Sequence, residues 1–172
     1  EVVSSDPSNP VTGQVWYNTT TDQLKAQQQF IGNAWSTGGS LNTGRGALLG
    51  AGTQTAAIAA GGDSPTESPT ESALTELYNG SSWTEVNDLN SGRSSPGGNG
   101  TQTSALVSGG GTAGLVESWN GSSWTEVNDL NTDRHSLPGS GADNTSALVF
   151  GGRTPAPAIV ANTESWNGSA WT

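Results

Sequence analysis

"ESWNGSSWTEVNDLN" runs from Glu117 to Asn131, and nearly the same words, "ELYNGSSWTEVNDLN", run from Glu76 to Asn90; the phrase begins a third time as "ESWNGSAWT", Glu164 to Thr172. In each copy an Asn-Gly pair sits between two aromatic-bearing arms. Asn-Gly favours the centre of a type I′ hairpin, because both central residues of that turn take positive φ. The stretch therefore reads as a tight two-stranded hairpin. Trp119 and Trp124 fall near the turn on opposing arms, placed to cover one apolar face.

Working outward, other markers keep the same step. Trp35, Trp83, Trp124 and Trp171 are 48, 41 and 47 residues apart, and Arg45, Arg93 and Arg134 are 48 and 41 apart. Gly62, Gly110 and Gly152, each closing a Gly-Gly pair, follow at 48 and 42. Three independent markers in one register define a repeated structural unit. From each Trp to the next Gly-Gly the distance is 27, 27 and 28 residues, whereas from Gly-Gly to the following Trp it is 21, 14 and 19. One half of the unit is fixed scaffold and the other half carries the insertions.

Strands fall into place inside the unit. "TQTAAIAAGG", "TSALVSGG" and "TSALVFGG" are short runs of small and β-branched residues ended by a double glycine, the pattern of a buried strand and its turn. The two hairpin arms follow, then "DLN", an Arg and a Gly-rich strand such as "GRGALLGAG". Four strands per roughly 45 residues is the economy of a propeller blade.

Composition agrees. Only 31% of the 172 residues are hydrophobic and 12% charged, while Gly contributes 25. Gly, Asn, Ser and Thr serve turns better than helix interiors. A net charge of −10 disfavours a phosphate backbone, so nucleic acid is not an expected partner. No apolar run reaches the roughly 20 residues of a membrane helix, and membrane insertion is not expected. The absence of Cys removes disulfides and thiolate metal sites. An opening Glu1 and the lack of Met suggest a processed product or an excerpt of a longer protein.

The order of Arg, Gly-rich strand, apolar strand ending in Gly-Gly, variable loop, aromatic strand (Tyr78, Trp119 or Trp166) and Trp strand (Trp83, Trp124 or Trp171) resembles the kelch repeat of β-propellers. This resemblance implies an all-β fold of four-stranded antiparallel blades over 45–172, in units of about 45–92, 93–133 and 134–172. Residues 1–44 differ. "DPSNPVTGQVWYNTTTDQLKAQQQFIGNAWSTG", Asp6 to Gly38, resembles a β-hairpin module of bacteriophage tail-fibre and other structural proteins. It reads as two strands around Thr19 to Asp22, with Trp16, Tyr17, Phe30 and Trp35 as apolar content, after a stretch where Pro7 and Pro10 disfavour helix. Together the two resemblances imply a virion or extracellular location.

A search for chemistry assigns no catalytic, cofactor-binding or metal-ligating residue, and no cofactor. His135 is the only histidine and has no equivalent in the other units. Glu76, Glu117 and Glu164, Glu85 and Glu126, and Asp88 and Asp129 recur by repetition and are therefore equivalent. Acid/base catalysis needs carboxylates in unlike environments. Arg45, Arg93 and Arg134 are expected to cap carbonyls or pair with carboxylates, an anion-recognising ring being the alternative. The sequons at Asn79, Asn120 and Asn167 are explained by the hairpin turns.

What remains is surface. The variable loops at 63–73, 111–114 and 153–162 share one position in the unit, and repeat scaffolds place such insertions on one face, commonly the binding face. Asp63, Thr66, Glu67, Thr70, Thr112, Arg153, Thr154 and Asn162 are the candidate binding residues. The expected function is a virion structural and adhesion module, a tail fibre, spike or capsid decoration that assembles with itself and other virion proteins and contacts host-surface glycan. The alternatives are a free carbohydrate-binding lectin and, with less in its favour, a carbohydrate-active or oxidase-like propeller enzyme. Three units do not close a propeller, so the chain is expected to associate with copies of itself or to continue in a longer one. The segment around Trp35 matches the repeat position of a missing outer strand.

Overall fold

The computed structural model describes residues 1–9, 14–26, 37–65, 70–111, 114–156 and 158–172. All regular structure among them is β. The chain divides into two compact units, Glu1–Thr37 and Gly38–Thr172, so the boundary falls ahead of residue 44, and Gly38–Gly44 belongs with the repeats.

The N-terminal unit is a three-stranded sheet of β1 (Val2–Val3), β2 (Val15–Asn18) and β3 (Gln23–Ala26). The two strands flanking Thr19 to Asp22 pair antiparallel, as the sequence predicts, and β1 adds a parallel edge that it does not. Asn18 accounts for the turn: its Oδ1 accepts from the Thr20 and Thr21 amides at 3.0 and 3.1 Å. Such Asx capping replaces a backbone turn. Asp6 gathers the rest, accepting from Trp16 Nε1 (3.1 Å), Asn18 Nδ2 (2.6 Å) and Lys25 Nζ (2.6 Å). Phe30 and Trp35 lie outside the described residues, and so does any strand supplied around Trp35.

The second unit holds three repeat sheets. The first has β4 (Leu49–Thr53), β5 (Ala56–Ala60), β6 (Thr75–Tyr78) and β7 (Trp83–Glu85), in that order and antiparallel. The second repeats it with β8 (Gly97–Thr101), β9 (Ser104–Ser108), β10 (Val116–Trp119) and β11 (Trp124–Val127). The third has β12 (Gly139–Asp143), β13 (Ser146–Phe150) and β14 (Thr163–Trp166). Its fourth position is only begun: Trp171 bridges Trp166, and Ser165 and Thr172 exchange amide bonds of 2.8 and 3.0 Å.

The hairpin that decided the fold is present but is not a type I′ turn. Trp119 pairs with Trp124 across four loop residues, and of its Asn-Gly pair only Gly121 has positive φ (96°). Asn120 instead turns its Oδ1 onto the Ser122 and Ser123 amides at 2.9 and 3.0 Å, and Asn79 and Asn167 do the same in their loops. The Asn side chain satisfies the loop amides, so a positive φ at Asn is not required.

Consecutive sheets stack face on face. Between the first and second lies a core of Leu49, Ile58, Leu89, Val107, Trp119 and Trp124; between the second and third, one of Leu106, Leu130, Leu137, Val149, Trp166 and Trp171. The second and third hairpins each contribute one aromatic pair to this packing, with ring centroids 5.2 Å apart for Trp119–Trp124 and 5.3 Å for Trp166–Trp171. Pairs at that separation gain roughly 0.5–1.5 kcal/mol beyond the area they bury.

Candidate functional site

The three arginines that mark the repeat lead into the interior. Arg45 reaches Glu76, Arg93 reaches Glu117 and Arg134 reaches Glu164, and at least 93% of every one of these side chains is buried. Arg45 Nη1 also donates to the carbonyls of Gly61 (2.7 Å) and Leu74 (2.6 Å), and Arg134 Nη1 to those of Gly151 (2.8 Å) and Asn162 (2.9 Å). Capping of carbonyls and pairing with a carboxylate are thus both realised, and each carboxylate comes from the arginine's own repeat.

A third member completes each node. Glu76 Oε2 accepts from both the amide (2.8 Å) and the Nδ2 (2.9 Å) of Asn42. Asn90 does the same to Glu117, and Asn131 to Glu164. Sequence reasoning passed over these asparagines, although Asn-x-x-Arg recurs at 42–45, 90–93 and 131–134 and would have shown them. Burial pulls Arg93 down from the usual guanidinium range and Glu117 beside it pushes back. Arg93 Nε also donates to Ser91 O at 3.3 Å, whereas the Nε of Arg45 and of Arg134 is buried without a partner; a buried charge paired with a carboxylate in this way is a structural fastening.

Beside each node the chain enters the first strand of a sheet through a residue in the left-handed region: Ala47 (φ 48°), Ser95 (52°) and Ser136 (51°). They are linked in series, since the Ser95 amide donates to Ala47 O at 2.9 Å and the Ser136 amide to Ser95 O at 2.7 Å. Left-handed non-glycine residues cost free energy and cluster at sites the surroundings over-determine. Here they surround a cleft of about 350 Å³ lined by Ala47, Leu48, Ser95, Pro96, Ser136, Leu137 and Pro138. Its walls are backbone, hydroxyl and apolar groups, and none of its lining side chains is titratable.

The variable loops meet the chain at the residue following each arginine. Asp63 bridges Gly46 and Glu71, and Arg153 bridges His135 and Ile159. The Gly111 amide donates to Ser94 O at 2.8 Å. Asp63, Thr70, Arg153 and Asn162 are exposed, and Thr154 is half-buried. Asn162 also has a structural duty, its carbonyl accepting from Arg134. Thr66, Glu67 and Thr112 lie outside the described residues. His135 is half-buried and its Nδ1 lies 3.1 Å from Ser136 Oγ. Among the described residues no three His, Cys, Asp or Glu side chains converge on a point that would hold a metal.

No protein-family model matches the chain, and no curated protein matches it by sequence. The fold is similar to the solved structure of YjhT, with a TM-score of 0.59 and 14% identity over 87% of this chain and 47% of that one. The chain therefore spans about half the length of that structure.

Proposed function

We propose that Gly38–Thr172 forms three consecutive kelch-like propeller blades, and that the chain is a virion structural and adhesion module whose variable loops contact host-surface glycan. One observation carries this reading above the others: Arg45–Glu76–Asn42, Arg93–Glu117–Asn90 and Arg134–Glu164–Asn131 are the same node built three times. Buried ionisable groups are spent on scaffold, equivalently in each repeat, whereas an enzyme sets its acid and base in unlike environments. The exposed polar loop residues are what is left to recognise a partner. The phage-like N-terminal hairpin supports the virion assignment, and the antiparallel four-stranded sheets of the first two repeats support the blade arrangement.

The test is a glycan array probed with the whole chain. Binding that is lost on Arg153→Ala with Thr154→Ala, at unchanged melting temperature, is the expected result. Turnover of a glycoside or oxidation of a sugar would overturn it in favour of a propeller enzyme.

A further inference from the structure

In the first and third repeats the chain beyond the Gly-Gly pair makes the same small ladder with different side chains. In the first, Gly46 pairs with Asp63 through two amide bonds of 2.9 and 2.8 Å, and Asp63 pairs on its other side with Glu71. In the third, His135 pairs with Arg153 through two bonds of 2.9 Å, and Arg153 pairs with Ile159. Residues directly opposite one another in an antiparallel ladder carry their side chains on one face. The first repeat therefore presents a glycine and two carboxylates in a row, and the third an imidazole, a guanidinium and an aliphatic group. The same backbone forms under either set, so the side chains are not what holds it.

The charge inventory sets Arg153 apart. The chain has 5 basic residues against 15 acidic ones. Lys25 pairs with Asp6, Arg45 with Glu76, Arg93 with Glu117 and Arg134 with Glu164. Arg153 makes no ion pair among the described residues, and it is exposed. Its backbone is nonetheless fixed on both sides, by His135 and by the bonds from Thr154 N to Ala158 O and from Val160 N to Gly152 O, each 3.1 Å. His135 is held as well, its Nδ1 lying 3.1 Å from Ser136 Oγ. With that hydroxyl donating to Nδ1, the neutral ring carries its hydrogen on Nε2 and offers a second donor. Ser136 also lines the cleft of about 350 Å³, and Ile159, on the other side of Arg153, is 77% exposed.

We infer that Arg153 and His135 form an oxyanion subsite that takes the carboxylate, sulfate or phosphate of a sugar bearing one anionic group, with Ile159 against the sugar's C–H surface. A guanidinium fork meets such a group through two parallel N–H bonds, and the imidazole adds a third from the side. A backbone already fixed lowers the ordering cost of binding. The rest of the chain limits the ligand. A net charge of −10 repels a polyanion. Exposed charges further away than about 8 Å are screened at physiological salt, so a single anionic group still reaches Arg153. The carboxylates of Asp63 and Glu71 repel that group from the matching row of the first repeat, which leaves the third repeat to recognise it. The sugar body rests on the glycan reading above; the anion contact does not.

Saturation-transfer NMR on the whole chain tests it, with glucose, glucuronic acid, glucose 6-sulfate and glucose 6-phosphate as probes. At least one of the three acids should bind and glucose should not, and which acid binds tells carboxylate from sulfate and phosphate. Arg153→Gln should abolish that binding and His135→Ala weaken it about tenfold, the worth of one hydrogen bond to a charged group. Both variants should keep the wild-type melting temperature, because neither side chain holds the ladder. Equal binding of glucose, acid binding that survives Arg153→Gln, or silence from all the probes would overturn the proposal. A glycan array that responds only to neutral glycans would keep the adhesion reading and overturn this one. A silent array beside acid binding lost in Arg153→Gln would overturn the adhesion reading and keep the subsite.

Discussion

At the scale of single residues, the decisive fact is that this acidic, turn-rich chain keeps its few cations for the interior. Three of its 5 basic residues are spent on buried pairs. Removing one partner leaves the other charge desolvated and alone, which costs about 3–5 kcal/mol. Glu117→Gln is therefore expected to lower stability by that amount in urea unfolding, and Arg93→Met combined with Glu117→Leu to recover much of it. An equal loss in single and double variants would show that the pair stabilises by attraction and not merely by compensation. Asp6 makes a prediction of the opposite kind. Its hydrogen bonds, first from Lys25, then from Asn18 and Trp16, hold its carboxyl down to about 2 from 3.8. A depressed carboxylate stabilises the folded form above its unfolded value and loses that contribution as pH falls through the folded one. The N-terminal unit should loosen between pH 3.8 and about 2, read by Trp16 fluorescence. In Asp6→Asn that acid step should be absent.

At the scale of elements, the aromatic hairpin is the unit of packing. Trp124 is 6% exposed, sits between two sheets and donates its Nε1–H to Thr75 Oγ1 at 3.0 Å. Trp124→Ala should cost about 3–5 kcal/mol in thermal or urea unfolding. A variant that kept its melting temperature and lost glycan binding would make Trp124 a contact residue instead. The hairpins, the Gly-Gly strands and the shared register were legible in sequence because periodicity follows from burial. Trp119, Trp124, Trp166 and Trp171 fill the space between sheets, and a Cβ at Gly62, Gly110 or Gly152 would meet backbone oxygen at 2.5–2.8 Å. The turn type was misread because Asn-Gly suits two loop geometries, and which one forms depends on where the Asn Oδ1 finds amides. Ala47, Ser95 and Ser136 carry no sequence mark of positive φ, so the cleft they line was invisible. The node was half legible: repetition picked out the arginines and glutamates, while Asn42, Asn90 and Asn131 look like ordinary turn residues until Glu is seen beside them.

At the scale of the molecule, stability in a stack of repeats is a sum of sheets and the interfaces between neighbours. The second sheet has both faces covered, and the run from Ala105 to Gly110 is buried throughout. Among the described residues the first and third sheets each have one face packed on a neighbouring repeat sheet, so they open at lower free energy and exchange their amides faster. In dilute solution, hydrogen exchange should therefore be slowest in β9 and β10 and faster in β5 and β13. These latter strands have the same local pairing, so a difference in rate reports the missing neighbour and not the ladder. Equal protection of all three sheets in the dilute chain would mean that a second packed face adds nothing to the stability of a sheet, and that the interfaces between neighbours are not what holds the stack.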